Sequence, residues 1–362
     1  MEIHFDTQDI PHHHFLRYFL KAKRIVVITG AGISVSSGIP DFRSSGGLYD
    51  AAKSTKKSQG KSLFDAQVFR DTEKMSEFFQ FMAKLKKKCD EAKPSKTHNF
   101  LNLLAENKKM IRLYTQNIDC LEDRLSFENV KKDIVIKLHG SLDQVRCMTC
   151  SNTFEIEDSH VESFEEGFAP ECISCVEYQK KRIERGRRAP PVGFLRPNVV
   201  LYNENHPSGD IISSMVDKDI KRKPDLLIVM GTSLKVHGLR QLVKQFAKTV
   251  HSIEEGRVFF INKTPLSSEW IDIFDFQLLG LCDVVTTYIQ TALEKHWKIS
   301  RKSIVLSPVS QKTIKDYFKT VKSTSLSNSP ISVRIAEKEN IIENSNFDDK
   351  LKRATRKKSP NK

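Results

Sequence analysis

Four of the seven cysteines in this 362-residue chain fall in two pairs, Cys147-x2-Cys150 and Cys172-x2-Cys175, separated by 21 residues. Two such knuckles supply four thiolates, the donor set of a tetrahedral zinc site. With no ligand position left for water, that metal is expected to be structural. Cys89, Cys120 and Cys282 stand alone: Cys89 reads as a core or surface thiol, while Cys120 and Cys282 follow segments that could line a site. Gly30-Ala31-Gly32 closes an apolar run, where glycine lets the backbone approach a pyrophosphate. Val35 replaces the third glycine of the dinucleotide pattern, so an ordinary strand-to-helix turn explains the loop equally well. Its continuation, Gly38-Ile39-Pro40-Asp41-Phe42-Arg43, is less ordinary. There Arg43 could pair with phosphate, and Phe42 could shield a reactive centre from water. His139 follows another apolar run. Histidine titrates near neutrality and suits a general base, although a hydrogen-bonded strand-end histidine is the plainer alternative.

Short apolar runs must position these residues. Arg24–Thr29, Met110–Tyr114, Ile134–Leu138, Leu226–Met230 and Val258–Ile261 read as strands buried on both faces. Amphipathic stretches such as Met75–Lys88 and Gly238–Thr249 lie between them. The alternation predicts an α/β fold, a doubly wound, parallel, Rossmann-like sheet with its ligand site beyond the carboxyl ends of the strands. Those ends are Gly30–Ser34, then Thr115-Gln116-Asn117-Ile118-Asp119, His139-Gly140, Gly231-Thr232-Ser233 and Asn262-Lys263-Thr264, all polar or glycine-rich. The cysteine module, about 141–195, falls between the third and fourth strands as an insertion. The organisation expected is an extension at 1–20, a catalytic unit at 21–297 and a tail at 298–362.

The net charge is +14, from 59 Lys+Arg and 45 Asp+Glu. Residues 298–362 hold 16 of the basic and 6 of the acidic residues, a net of +10. That stretch is rich in Ser, Asn and Lys and too poor in apolar residues to offset its ordering entropy, so it is expected to be disordered. No apolar run approaches the roughly 20 residues of a membrane span. The first residues, MEIHFDTQDIPHHHF, lack the pattern of a signal peptide. A soluble, intracellular protein with cysteines as thiols or metal ligands is expected. His12-His13-His14 has no evident role.

The glycine loop, Gly38–Arg43, Thr115–Asp119, His139-Gly140, the four cysteines and Gly231–Ser233 occur in the order of the sirtuins, NAD-dependent protein-lysine deacylases, and together resemble that family over about 280 residues. The resemblance implies that Gly30, Ala31, Gly32, Ser34, Asp41, Phe42, Arg43 and Tyr49 form the cofactor loop. It places Thr115, Gln116, Asn117, Ile118 and Asp119 at nicotinamide and ribose, with Asn117 also counted as catalytic. Gly231, Thr232, Ser233, Asn262, Lys263, Thr264 and Cys282 fall on the adenosine side. His139 becomes the base that takes a proton from a ribose hydroxyl after the acyl oxygen has attacked the anomeric carbon and nicotinamide has left. NAD is implied as a consumed co-substrate, with one structural zinc on Cys147, Cys150, Cys172 and Cys175. The family's acyl-lysine channel segment, close to Val-Phe-Phe-Gly-Glu, reads Val200-Leu201-Tyr202-Asn203-Glu204 here. Arg196–Pro207 and Lys235–Gly238 look most like fungal nuclear sirtuins acting on the globular core of histone H3. The implied partner is acetylated histone H3, the implied location the nucleus, and the implied roles chromatin silencing and genome stability.

In the tail, Gln311-x2-Ile314-x2-Tyr317-Phe318 fits a sliding-clamp-binding motif, with Ile314, Tyr317 and Phe318 on one face of a helical turn. Lys352-Arg353 and Arg356-Lys357-Lys358 resemble a nuclear-import cluster, and Ser307-Pro308, Ser329-Pro330 and Ser359-Pro360 resemble kinase sites. The basic tail suits non-specific DNA contact. A mono-ADP-ribosyltransferase and a non-catalytic clamp or chromatin adaptor are the competing readings.

Overall fold

The computed structural model describes residues 1–5, 14–52, 60, 62–125 and 133–297. The tail, with Gln311, Ile314, Tyr317, Phe318, the basic cluster and the Ser-Pro sites, lies outside the described residues, as do His12 and His13. The chain runs β1 (Glu2–His4), α1 (Leu16–Lys21), β2 (Ile25–Thr29), α2 (Leu48–Ala52), α3 (Thr72–Glu91), α4 (Lys96–Glu106), β3 (Met110–Thr115) and β4 (Val135–Lys137). It continues through β5 (Gly140–Cys147), β6 (Thr153–Glu155), α5 (Asp158–Glu165), α6 (Ile173–Glu184), β7 (Leu195–Val199), α7 (Gly209–Lys221), β8 (Leu226–Met230), α8 (His237–His251), β9 (Arg257–Asn262), β10 (Phe276–Leu279) and α9 (Cys282–Trp297). No helix among the described residues is long and apolar enough to cross a membrane.

A seven-stranded parallel sheet has the order β1-β10-β9-β8-β2-β3-β4. Its middle strands are continuous apolar runs because both faces are covered. Ile25, Val27, Ile228 and Phe259 pack beneath α1, α4 and α9, among Phe19, Phe100, Leu104 and Ile289. Val26, Ile28, Leu227 and Phe260 point the other way, against Val243, Phe246 and Val250 of α8. On that face Asp219 of α7, fully buried, accepts from Arg112 at 2.7 and 3.0 Å and from the Tyr114 hydroxyl at 2.8 Å, which ties α7 to β3.

All five strands expected from the sequence are present, and both expected helices lie within α3 and α8. Two further strands close one edge of the sheet. β1 pairs with β10, and Phe5 packs on the Phe15 and Tyr288 rings. Within residues 1–20, set apart as an extension in the sequence, the described residues 1–5 and 14–20 thus supply a strand and most of a helix to the main core. β1 is too short to show a period of its own.

A second, antiparallel sheet, β6-β5-β7, carries the cysteine module between β4 and β8. It rests on α3 through a separate apolar cluster that includes Phe78, Phe79, Met82, Val145, Leu195 and three of the paired cysteines. Asp71 starts α3 by accepting from the Glu73 and Lys74 amides, which satisfies two of the helix's orphan donors.

Candidate active site

The polar ends of β2, β3, β4 and β8 meet. The Gly32 amide donates to the Gly231 carbonyl at 2.8 Å, and the Gly231 amide to Ile261 at 3.0 Å. A Cβ at Gly32 would stand 2.7 Å from Gly231 Cα, and one at Gly231 (φ +64°) 2.7 Å from the Ile33 amide. Neither loop has room for a side chain, so these glycines serve the approach of the two loops to each other. Gln116 bridges the strands: its Nε2 donates to Thr29 O at 2.9 Å, and its Oε1 accepts from the Thr232 hydroxyl at 3.3 Å.

His139 Nδ1 lies 3.1 Å from the Gln116 carbonyl. A carbonyl only accepts, so Nδ1 carries the proton and Nε2 presents a lone pair. The ring keeps a solvent-facing edge but sits in dense protein; that burial, with a smaller opposing effect from the Gln116 carbonyl, pulls it down to about 4. His139 is therefore neutral at physiological pH, the state a general base needs. Asn117, next to Gln116 in the chain, is buried. Its Nδ2 donates to Ser34 Oγ at 3.2 Å, and its Oδ1 has no hydrogen-bond partner. A buried amide oxygen left open fits a hydrogen-bond donor on a ligand, because an orphaned carbonyl is otherwise costly. Asp119, also buried, is held above the usual carboxylate range chiefly by burial. Glu122 is fully buried; its Oε1 accepts from the Thr115 hydroxyl at 2.6 Å, and Thr115 Oγ1 in turn accepts from the Asn117 backbone amide at 3.1 Å. Sequence reasoning missed Glu122: in Cys-Leu-Glu-Asp-Arg nothing sets a buried carboxyl apart from a solvated turn.

The loop after β2 is held from within. Asp41 accepts from the Arg43 and Ser44 amides and from the Ser44 hydroxyl, so its carboxylate organises the turn. The Phe42, Tyr49 and Phe64 rings pack edge to face. Arg43 Nη2 donates to the Tyr202 hydroxyl at 3.0 Å, and the Tyr49 and Tyr202 hydroxyls are 3.0 Å apart. The loop thus meets the segment of Val200, Leu201 and Tyr202. Asn203, which stands where the sirtuin segment has glycine, adopts φ +63°, a conformation asparagine tolerates. Glu204 fastens the segment by accepting from the Leu201 amide at 2.7 Å and from buried Arg196 at 2.6 Å.

At the end of β9, Asn262 Nδ2 donates to the Thr264 carbonyl and hydroxyl at 3.1 and 3.0 Å, and Lys263 is exposed. Cys282 lies beneath this loop, its Sγ 3.8 Å from Ile261 O. Cys120 is turned into the protein, 3.0 Å from Ser141 Oγ, and Cys89 is in the α3 core. Cys147 Sγ lies 3.7 Å from Cys175 Sγ, Cys150 Sγ 3.7 Å from Cys172 Sγ, and all four sulfurs are within 4.8 Å of one another. Thiolates about 2.3 Å from a tetrahedral zinc stand about 3.8 Å apart, so the cluster fits the metal.

The model of the Sir2 family matches residues 30–238. Among curated relatives, NAD-dependent histone deacetylase HST3 of Candida albicans is 38% identical over 78% of this chain, and the match spans 62% of its own length. Its Saccharomyces cerevisiae namesake is 39% identical over 81% of this chain and 70% of its own length. NAD-dependent protein deacetylase hst4 of Schizosaccharomyces pombe is 34% identical, covering 84% and 75%. A solved Sir2 homologue–NAD complex superposes with a TM-score of 0.60 at 27% identity, covering 79% of this chain and 97% of that one. A Sir2–p53 peptide–NAD+ complex gives 0.59 at 25%, covering 80% and 100%.

Proposed function

The chain belongs to the Sir2 family, and from that premise we propose that it is an NAD-dependent protein-lysine deacetylase acting on histones. The observation that carries the reading is His139: its Nδ1–H is spent on Gln116 O and its Nε2 is open, while Asn117, next to Gln116 in the chain, keeps an unpartnered Oδ1. NAD supplies an anomeric carbon with nicotinamide as leaving group, and the acyl oxygen of acetyl-lysine attacks there. His139 Nε2 takes the proton of a ribose hydroxyl. Asn117 and Asp119 hold nicotinamide and ribose, and Gly30–Ser34 with Arg43 hold the phosphates. Gly231, Thr232, Ser233, Asn262, Lys263 and Thr264 contact the adenosine side. Acyl-lysine enters along Val200–Tyr202, its backbone adding as a strand. Cys147, Cys150, Cys172 and Cys175 would hold a zinc that fastens the small sheet and, with no open ligand position, would take no part in the chemistry.

The finer reading is a nuclear enzyme whose preferred substrate is acetyl-lysine in the globular core of histone H3, with Gln311–Phe318 contacting the replication clamp. Similarity to two histone deacetylases supports the histone class. Acetylated histones incubated with NAD and followed by mass spectrometry should yield nicotinamide and O-acetyl-ADP-ribose in equal amounts. ADP-ribosylated protein without O-acetyl-ADP-ribose would replace the assignment by transferase activity. His139→Ala should lose roughly 100-fold or more in turnover with an unchanged melting temperature; wild-type turnover would remove the histidine from the chemistry.

A further inference from the structure

The charge of the body is concentrated at one place. Residues 1–297 carry a net +4, yet Gln179–Arg188 alone holds six basic residues and one acidic, a net of +5. The rest of the body is slightly acidic. These ten residues form the far end of α6 and the reversal that follows it. Cys172 and Cys175 anchor the near end of the helix in the cysteine cluster.

The local structure gathers the cations. Gly186, at φ +65°, ends the helix: its amide donates to Ile183 O and the Arg187 amide donates back to Arg182 O. This glycine cap folds Arg187 and Arg188 back around the last turn. Arg182 Nε then donates to the Arg188 carbonyl at 3.1 Å, and Gln179 Nε2 to Pro190 O at 2.8 Å, which fix the reversal. Lys180, Lys181, Arg185, Arg187 and Arg188 are exposed.

Some surface cations elsewhere meet carboxylates, as Lys21 meets Glu255, Lys87 Glu165 and Arg240 Glu269. Lys180, Lys181, Arg185, Arg187 and Arg188 form no ion pair among the described residues. Compensation of the helix dipole accounts for Lys181 and Arg182 in the last turn. It does not account for three further arginines beyond the helix end. Like charges at this density repel one another, and a polyanion relieves the repulsion.

We propose that the end of α6 and its glycine reversal form a docking surface for the phosphate backbone of duplex DNA, separate from the tail. Arginine and lysine serve phosphate recognition without reading sequence. The patch is mounted on the cysteine module, so contact there leaves the strand-end site unchanged.

The test uses the full chain, with Lys180, Lys181, Arg185, Arg187 and Arg188 all changed to Ala and Arg182 kept for its cap. Fluorescence anisotropy with a mixed-sequence 30-base-pair duplex is followed from about 50 to 200 mM salt. Each lost phosphate contact removes about 0.9 from the slope of log affinity against log salt. We expect the slope to shallow by about 3–4 and the affinity at about 100 mM salt to fall at least tenfold, with peptide deacetylation and melting temperature unaltered. Both proteins carry the same tail, so the difference belongs to the patch. An unchanged slope overturns the proposal. Polyglutamate serves as the second probe: if the variant loses polyglutamate binding but keeps the duplex, the surface is for an acidic protein and the proposal fails. K180A alone should alter the slope by less than about 1, which guards against a global defect in the fivefold variant.

Discussion

Glu122 is fully buried with one hydrogen-bond partner, and burial first, Asp119 second, push its carboxyl up to about 8 from an ordinary 4.5. The folded state therefore favours the protonated acid. That stabilisation is complete below about pH 4.5 and is lost as pH rises toward 8, because the unfolded chain releases the proton first. Glu122→Gln cannot ionise. Its melting temperature relative to the parent should climb between about pH 5 and about pH 8, and a constant gap would show that the carboxyl is charged in the fold. Because Thr115 links Glu122 to the Asn117 amide, Glu122→Ala should also raise the KM for NAD by about tenfold, with Gln restoring it. A lost hydrogen bond that leaves a buried polar group unpaired costs about 1–3 kcal/mol, which brackets that factor. His139 and Asn117 were legible in the sequence because they end apolar runs. Glu122 was not, since burial of a charged residue leaves no mark in a short polar segment.

At the scale of elements, the glycines were readable as a loop but not in their role. Gly32 and Gly231 come from strands about 200 residues apart in sequence, and only the pairing of β2 with β8 brings them into contact. The spacing of the cysteines, by contrast, announced four ligands before any fold was known, because metal geometry is imposed locally. A zinc on the four cysteines would join β5, by Cys147, to α6 and its N-cap, by Cys175 and Cys172. Structural zinc contributes on the order of 10 kcal/mol in isolated zinc peptides. Chelation should therefore expose β6, β7 and α6 to hydrogen exchange while β2, β8 and β9 stay protected; uniform loss across both sheets would show that the module is not an independent unit. The antiparallel pairing of β5 with β6 and β7 was not legible, since its strands alternate too briefly for a period to emerge.

For the whole molecule, five strands of the seven-stranded sheet could be read in the sequence, and the β1–β10 edge could not. Long buried strands such as Leu226–Met230 declare themselves; β1, three residues at the start of the chain, does not. Every residue placed in the site lies between Gly30 and Cys282, and deleting residues 298–362 should leave turnover of a short acetylated peptide within about twofold and the melting temperature unchanged; a large fall in either would mean that the tail contributes to the fold or the site. The pairing of Glu2 with Gln277 has a consequence for synthesis. At roughly 5–20 residues per second a ribosome needs about 15–55 s to travel from one partner to the other. Throughout that interval Ile3 and Phe5 lack β10 and α9, with only the rings of α1 and its approach to pack against, so the newborn chain must shelter them or lend them to a chaperone. The sheet is closed only when nearly all of the catalytic unit has been made, and a message truncated before codon 276 yields a protein with an open edge.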